Sequence, residues 1–353
     1  MNLPAFDQPA PGTPAPQIES HPMEVLFVEQ FHEWVESESL GPRSPGFDAV
    51  WEEAVLAPAR HTLALRGKHF RASLTTAAWS LAGGRFEDMP ATIPLIVEIL
   101  HAGSLIVDDV QDDSLERRGS PTLHRIVGMP LAINTGNLLY CWALDLLSQM
   151  GFAPGIELAL YRRVSKAMLR CHHGQGLDLS VRITEMPPHL VPNLVKTTTQ
   201  LKAGALMELA AAIGAIAGGG TREQTDAIAE FGNELGCGLQ MLDDLSGVLN
   251  PKRRHKAIED IGLARPTWPW AWLARDLDAE TFGGLQDRAR GVRTPTEIEA
   301  LVVEIADLVR CTCKERVHAH LTTALALLRQ RCGGHPCLDV VESEIERLEK
   351  AYV

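Results

Sequence analysis

The chain has 353 residues, with 45 Asp and Glu against 33 Lys and Arg, and a formal net charge of −12. Proteins that bind nucleic acids usually carry an excess of basic residues, so this composition argues against that class of partner. No segment contains the roughly 18 consecutive apolar residues that a membrane span needs. We therefore predict a cytoplasmic protein without a membrane span, which would hold an anionic substrate with local cations or metal ions.

The amino terminus, residues 1–22, is rich in Pro and polar residues and has no basic start followed by an apolar run. Such a segment cannot bury enough apolar surface to form a core, and it does not match a secretory signal peptide. The sequence thus predicts a disordered tail over residues 1–22 and a folded domain over residues 23–353. The seven cysteines are scattered along the chain, which indicates free thiols.

Helical patterns dominate the rest of the chain. Apolar residues recur three and four positions apart in several Ala- and Leu-rich segments, which is the spacing of one helix face. In chain order these are FRASLTTAAWSLAGG (70–84), ATIPLIVEILHAGSLIVDDV (91–110), NLLYCWALDLLSQM (137–150), LMELAAAIGAIAGG (206–219) and TDAIAEFGNELGCGLQMLDDL (225–245). Alternating strand patterns bounded by hairpin turns are nearly absent. The sequence predicts an all-α protein with one helical domain rather than two.

Two acidic pairs stand out in these helices. In SLIVDDVQDDSLERRGSPTLH (104–124), a helix would bring the carboxylates of Asp108 and Asp112 to one face. Their repulsion, on the order of a few tenths of a kcal/mol, would be offset by Mg²⁺, which commonly bridges carboxylates to a phosphate. Asp243 and Asp244 form a second pair at the predicted end of another apolar helix. Either pair alone is more often a solvated helix end, whereas the two together favour a diphosphate site.

Five short elements follow one another along the chain: GKHFR (67–71), HAGSLIVDDVQDDSLERRGSPTLH (101–124), GQGLDLS (174–180), KAGAL (202–206) and LGCGLQMLDDL (235–245). In this order they resemble the GKRxRP, first aspartate-rich, GQxxDL, KTxxL and second aspartate-rich elements of the trans-isoprenyl diphosphate synthase (polyprenyl synthetase) family. The resemblance runs from about Gly67 to Pro269, and the match to the first aspartate-rich element is long and specific.

The resemblance implies a single large helical bundle around a deep apolar cavity, a homodimer, and two diphosphate sites. An allylic prenyl diphosphate would be gripped by about three Mg²⁺ ions, which shield its charge. The implied metal ligands are Asp108, Asp112 and Asp243. The second aspartates of the two pairs, Asp109 and Asp244, belong to the same catalytic motifs. Further positive charge would come from Arg117, Lys202 and Lys256.

The second substrate, isopentenyl diphosphate, would occupy a basic pocket, because Arg makes forked contacts with phosphate and Lys acts as a point charge. The residues that the resemblance assigns to this pocket are Lys68, Arg71, His101 and Arg118. Gln175 and Gln240 would line the site, although either could equally be a polar residue inside a helical bundle.

The implied reaction is ionisation of the allylic diphosphate, condensation with isopentenyl diphosphate, and loss of a proton. The product length would depend on the residues four and five positions before Asp108, since helix geometry directs them toward the growing chain. These residues are Ser104 and Gly103, both small. We therefore expect a polyprenyl diphosphate synthase whose product is geranylgeranyl diphosphate or longer.

Several positions depart from the family pattern: His69 and Ala72 in the first element, Ala203 after the lysine of the fourth, and Leu239 and Gly247 in or beside the fifth. Gly247 stands where a third aspartate is expected. Two alternatives therefore stay open. One is a class I terpene synthase that ionises and cyclises an allylic diphosphate, and the other is a non-catalytic partner subunit of a prenyl synthase.

Overall fold

The computed structural model describes residues 22–37, 45–65, 67 and 69–352. Within this part of the chain the structure is helical apart from one two-stranded hairpin, so the predicted all-α class is confirmed. The predicted tail lies outside the described residues except for Pro22, which begins the first helix. The extent of the folded domain and its deep cavity stay predictions.

The helices and strands are numbered in chain order. They are α1 (Pro22–Ser37), α2 (Pro45–Trp51), α3 (Ala57–Leu63), α4 (Phe70–Leu81), α5 (Leu95–Gln111), β1 (Glu116–Arg117), β2 (Ser120–Pro121), α6 (Leu123–Val127), α7 (Met129–Ser148), α8 (Pro154–Ser180), α9 (Val191–Thr199), α10 (Ala205–Ala217), α11 (Arg222–Leu249), α12 (Arg254–Gly262), α13 (Trp268–Asp276), α14 (Ala279–Gly291), α15 (Pro295–Val309), α16 (Cys313–Cys332) and α17 (Cys337–Tyr352). Two five-residue turns are π-helical, Glu52–Leu56 and Gln200–Gly204.

The chain divides into two compact units, which are described separately. The first combines the described residues up to 67 with Ala102–Leu139, and the second combines His69–His101 with the chain from Tyr140 onward. In the first unit α1 packs on α3, and Met23 and Phe27 of α1 are buried. Arg60 on α3 forms an ion pair with Glu24 at 2.9 Å, which ties the same two helices together.

Helix α10 lies at the centre of the second unit. It is apolar on nearly all sides, and such a helix is stable only when neighbours surround it. It packs between α4 and α11, and both contacts are unusually close. A Cβ atom added at Gly214 would lie 2.1 Å from the carbonyl oxygen of Thr75 on α4, and one added at Gly232 on α11 would lie 2.6 Å from that of Met207. Glycine is therefore required for α10 to be held this tightly.

Helix α11 carries the second aspartate motif and begins with a capping box. The hydroxyl of Thr221 accepts from the amide of Gln224, and the side chain of Gln224 accepts from the amide of Thr221. The expectation that Asp243 and Asp244 end this helix is wrong, because α11 continues to Leu249. The residues after the pair are buried, so the apolar face of the helix extends past it.

One continuous helical segment, Pro188–Ala217, is long and apolar enough to cross a membrane by length and composition alone. Its most apolar window has a mean hydropathy of 1.3 and is 61% buried inside the protein. A core helix of a soluble protein passes the same test, so this segment is weak evidence for a membrane span.

Candidate active site

The first aspartate motif lies at the end of α5. Asp108 and Asp109 occupy its last turn, and Asp112 follows it directly. The amide of Asp112 donates to the carbonyl oxygen of Asp108 at 2.9 Å, so these residues keep the helical spacing that the sequence predicts. Both are half-buried, whereas Asp109 is only 4% exposed. Neighbouring aspartates in the motif thus have different surroundings.

A tight hairpin follows the motif. Strand β1 pairs antiparallel with β2, and the turn residues Arg118 and Gly119 have φ values of 54° and 81°. Positive φ at both central positions is typical of a type I′ turn, whose twist matches that of the paired strands. Nη1 of Arg118 donates to the carbonyl oxygen of Leu65 at 2.8 Å. This bond fixes the turn against the segment that follows α3.

The hairpin brings Arg117 onto Asp109. Nε of Arg117 donates to the two carboxylate oxygens at 3.0 and 3.4 Å, and Nη2 makes a short bond to Oδ1. Burial raises the pKa of Asp109, and the hydrogen bonds and charge of Arg117 oppose this shift. Both oxygens of Asp109 are engaged, so this residue orients Arg117.

In the second unit, Asp243 is surrounded by positive charge. Nη2 of Arg253 donates to its Oδ1 at 2.5 Å, and Nζ of Lys256 contacts its Oδ2. Arg253 lies in a short 3₁₀ turn, and Lys256 lies in the first turn of α12. The segment that the sequence presents as a basic run is therefore structured and holds the second aspartate motif.

Asp244 has a different role from its neighbour. Its Oδ1 accepts from Nε2 of Gln240 at 2.7 Å, and its Oδ2 accepts from the amide of Trp268 at 3.0 Å. Burial raises the pKa of Asp244 to about 7, and the charge of Asp260 adds to this shift. These contacts connect α11 to the start of α13, so the carboxyl of Asp244 stabilises the site's framework.

Lys202 lies in the π-helical turn Gln200–Gly204. Its Nζ donates to Oδ2 of Asp178 at 2.5 Å, which orients the ammonium group. Asp178 belongs to the GQGLDLS element in the last turns of α8. The half-buried Gln175 lies one helical turn before it.

Arg71 lies in the first turn of α4 and His101 lies in α5. Burial lowers the pKa of Arg71, and the charge of Glu98 is the main opposing influence. The buried Nε of Arg71 has no hydrogen-bond partner among the residues that the structure describes. An anionic oxygen could satisfy it. Lys68, which the sequence assigns to the same pocket, lies outside the described residues.

The predicted chain-length residues lie in the first unit. Gly103 is buried and Ser104 is half-buried. A Cβ added at Gly136 on α7 would lie 3.1 Å from the carbonyl oxygen of Gly103 and 2.9 Å from Val107. Helix α7 therefore approaches α5 closely beside these two small residues.

Three partners of the site residues were not predicted from the sequence: the acidic Asp178 and Glu98, and the basic Arg253. Asp178 belongs to an element that the sequence singles out, so its position could have identified it. Glu98 stands alone in an apolar run and is 7% exposed, and a charged residue in such a place usually has a partner. Arg253 lies three residues before Lys256 in the same basic run. The bond from Arg253 to Asp243 could not be predicted, because it depends on how the connection after α11 folds.

The aspartate carboxylates could hold Mg²⁺ only together with ligands from the substrate or from water. In the described part of the chain, no three His, Cys, Asp or Glu side chains lie close enough together to hold a metal ion. Mg²⁺ is commonly bound by one or two carboxylates, with phosphate and water as its other ligands, so such a group is not required. Arg253 and Lys256 occupy both oxygens of Asp243, so Mg²⁺ could bind there only when an incoming diphosphate draws these cations away from the carboxylate. The aspartates therefore fit an ion that arrives with a diphosphate.

The all-α fold carries two aspartate-rich helices and basic side chains that carboxylates orient, which is the arrangement that the sequence motifs predict for a prenyl diphosphate synthase. The family model of polyprenyl synthetase matches residues 52–300. The chain therefore belongs to the polyprenyl synthetase family, as the sequence motifs predict.

Curated relatives of this chain are named as prenyl diphosphate synthases. A short chain isoprenyl diphosphate synthase of Methanocaldococcus jannaschii is 30% identical over 198 residues, which cover 55% of this chain and 58% of the relative. The chain thus spans less than two thirds of that relative's length. A geranylgeranyl diphosphate synthase of Methanosarcina mazei is 30% identical over 257 residues, 70% of this chain and 78% of the relative.

Solved structures show the same fold. Geranylgeranyl pyrophosphate synthetase from Pyrococcus horikoshii has a TM-score of 0.71 and 22% identity, and the match covers 92% of this chain and 99% of that one. Heptaprenyl diphosphate synthase from Staphylococcus aureus has a TM-score of 0.72 and 20% identity, with 94% and 98% covered. At these identities the likeness establishes the fold alone.

Proposed function

We propose that this protein is a trans-prenyltransferase that condenses isopentenyl diphosphate with an allylic prenyl diphosphate. The observation that carries the proposal is that each aspartate motif comes with an oriented basic partner, Arg117 on Asp109 and Lys256 on Asp243. A site for ionising a diphosphate needs such paired charges, because carboxylates bind metal ions and cations stabilise the leaving group. Membership of the polyprenyl synthetase family supports the same reaction.

The allylic diphosphate would be bound by Arg117, Lys202 and Lys256. Each is already directed by a carboxylate, so little side-chain freedom is lost when the substrate binds. About three Mg²⁺ ions, held by Asp108, Asp112 and Asp243, would supply the charge that stabilises the departing diphosphate. Asp109 and Asp244 would act through their neighbours, since both are engaged in buried hydrogen bonds.

Isopentenyl diphosphate would be bound by Lys68, Arg71, His101 and Arg118. The buried Nε of Arg71, which has no partner in the described part of the chain, supports an anionic ligand at this residue. Gln175 and Gln240 would line the site. After ionisation, the double bond of isopentenyl diphosphate attacks the allylic carbon and a proton is lost to the released diphosphate, so no side-chain nucleophile is needed. We propose geranylgeranyl diphosphate or a longer product, because Gly103 and Ser104 are small.

The protein would act as a homodimer in the cytoplasm. Exposed apolar side chains support a self-association surface on the first unit: Ile126 is 50% exposed, Met129 is 54% exposed and Ile133 is 38% exposed. All seven cysteines are unpaired, which is typical of a reducing compartment.

The first experiment is an assay of the purified full chain with Mg²⁺ and geranyl or farnesyl diphosphate, with and without isopentenyl diphosphate. Products are separated by mass spectrometry before and after phosphatase treatment. Longer prenyl alcohols that require both isopentenyl diphosphate and phosphatase support the proposal and give the chain length.

Two other outcomes would contradict it. Hydrocarbons or alcohols released from the allylic substrate alone, without phosphatase, would indicate a terpene synthase. An inactive chain that gains activity only with a second polypeptide would indicate a partner subunit.

A further inference from the structure

The π-helical turn Gln200–Gly204 connects α9 to α10 and carries Lys202 at its centre. A π-helical turn interrupts the regular hydrogen-bond ladder of a helix, and such turns are frequent at functional sites. Carbonyl groups at the interruption need other donors, because an unpaired buried carbonyl is costly. Donors to the carbonyl oxygen of Gln200, the first residue of the turn, therefore help to hold the turn in place.

Two side chains from neighbouring helices donate to that carbonyl oxygen. Nη2 of Arg170 on α8 and Nδ2 of Asn233 on α11 each lie 3.3 Å from it. The same two residues also donate to Oε2 of Glu208 on α10, Arg170 by a short bond through Nη1 and Asn233 at 2.9 Å. Two donors thus share two acceptors in a closed network around the start of the turn.

The network is well shielded from water. Asn233 is 8% exposed, and the side chains of Arg170 and Glu208 are 24% and 20% exposed. Charged hydrogen bonds in such a setting are stronger than neutral ones at the surface. Arg170 and Asn233 donate to the backbone carbonyl oxygen of Gln200, so they act on the backbone of the turn that carries Lys202.

Close packing leaves the turn little freedom to shift. A Cβ added at Gly174 on α8 would lie 2.8 Å from Cγ of Lys202, and one added at Gly236 on α11 would lie 2.5 Å from the carbonyl oxygen of Ala203. A second contact with α11 lies at Gly204, where an added Cβ would be 3.0 Å from the side-chain amide of Asn233. The turn is therefore enclosed by α8 and α11, and the network sets its register between them.

We propose that Arg170, Glu208 and Asn233 are positioning residues, which hold the π-helical turn so that Lys202 points at the allylic diphosphate. This inference rests on the proposed function, in which Lys202 binds that substrate. Asp178 then fixes the ammonium group itself, and the network fixes the backbone from which the lysine extends.

The test is a double-mutant cycle with Asn233→Ala and Lys202→Ala. Asn233→Ala removes both of the hydrogen bonds that Asn233 donates to the network, so it should raise the KM for the allylic diphosphate about tenfold. It should also lower kcat, because Lys202 helps to stabilise the departing diphosphate, while the KM for isopentenyl diphosphate stays nearly unchanged. In the Lys202→Ala background the same substitution should have no further effect. Arg163→Ala is the matched control, because it breaks an ion pair at 2.6 Å with Asp226 that also joins α8 to α11. It should leave the KM values unchanged.

Two further measurements keep the inference falsifiable if Asn233→Ala does not fold or the chain shows no prenyl transfer. Arg170→Lys keeps a charge for Glu208 but loses the planar fork, so it should shift the allylic KM in the same direction by less. Amide hydrogen exchange over residues 200–204 should be faster in Asn233→Ala or Arg170→Lys than in the wild type, whatever the activity.

Unchanged exchange in these variants would overturn the inference, as would equal rises in both KM values or an undiminished effect in the Lys202→Ala background. If Lys202→Ala itself leaves the allylic KM unchanged, the role of Lys202 in the proposed function fails and the positioning role fails with it. If Lys202→Ala raises that KM but Asn233→Ala does not, the positioning inference alone is wrong.

Discussion

Adjacent aspartates in the two motifs differ because consecutive helical residues point about 100° apart. Asp109 and Asp244 turn into the protein and accept hydrogen bonds there, while Asp108 and Asp243 lie beside them on another face. Each motif thus combines a carboxylate that shapes the site with one that can bind a ligand. The two functions can be separated by the same substitution at neighbouring positions.

Asp109→Ala should lower the free energy of unfolding by about 2 kcal/mol, because it leaves the guanidinium of Arg117 without its buried carboxylate partner. Asp108→Ala should change stability by less than about 1 kcal/mol, since Asp108 is half-buried, yet it should reduce kcat/KM at least about a hundredfold if Asp108 binds Mg²⁺. Denaturant titrations and initial rates measure the two effects. Equal losses of stability in both variants would contradict this division of roles.

The pKa of Asp260 is raised to about 6 by burial, with Lys256 and Arg265 opposing the shift. A carboxyl group whose pKa is higher in the folded state contributes stability at low pH and loses it as the pH rises through 6. Asp260→Asn lacks this titration. Its free energy of unfolding relative to the wild type should therefore increase between about pH 4 and pH 7, on the order of 1 kcal/mol. A difference that is constant over this range would show that Asp260 ionises normally.

Ser104→Phe should shorten the product to farnesyl diphosphate, because a bulky side chain before the first motif would block the growing chain. The close approach of α7 to α5 beside Gly103 leaves little space into which such a ring could retreat. Mass spectrometry of phosphatase-treated products measures the length. Leu105→Phe is the control, since its side chain points about 100° away along the same helix. A product of unchanged length from Ser104→Phe would mean that chain length is set elsewhere.

Strong apolar periodicity was sufficient to predict the long helices from the sequence. The segment 70–84 predicts α4, and its paired glycines mark the helix end, where Gly83 adopts a φ of 95°. The π-helical turn at Gln200–Gly204 could not be predicted from local pattern, because the groups that satisfy it come from Arg170 and Asn233. The two-residue strands are likewise too short for a periodic pattern.

The glycines of α11 give a matched pair of substitutions. Gly236→Ala would place a Cβ 2.5 Å from the carbonyl oxygen of Ala203, so the backbone must shift and stability should fall by about 2–3 kcal/mol. At Gly247 the nearest atom would be the amide nitrogen of Ala257 at 3.5 Å, an ordinary contact. Gly247→Ala should therefore gain up to about 1 kcal/mol from its better helix propensity. Chemical denaturation of the two variants measures both values, and a loss at Gly247 equal to that at Gly236 would contradict the packing argument.

For the whole molecule, the acidic composition and the basic site are compatible because the site's cations are paired with carboxylates. Arg117 with Asp109 and Lys202 with Asp178 are examples. The sequence could identify the cations through their motifs. It could not identify their partners, because Asp178 lies 24 residues from Lys202 along the chain and only folding brings the two together.

Because these cations are already paired with carboxylates, we also expect diphosphate to bind much more weakly when no divalent metal ion is present.

Self-association of the whole molecule would use the exposed apolar side chains at the start of α7. Ile133 is 38% exposed on α7, one helical turn after the exposed Met129, so a glutamate there should not disturb the folded chain. If this surface forms a homodimer, Ile133→Glu would bury an unpaired charge in the interface and dissociate it. Light scattering should then give twice 38.6 kDa for the wild type and 38.6 kDa for the variant at the same concentration. Leu327→Glu, at a residue that is 48% exposed on α16, is the control and should keep the mass of the wild type. A dimeric Ile133→Glu variant would exclude this surface, and a dimer lost only in Leu327→Glu would move the interface to α16.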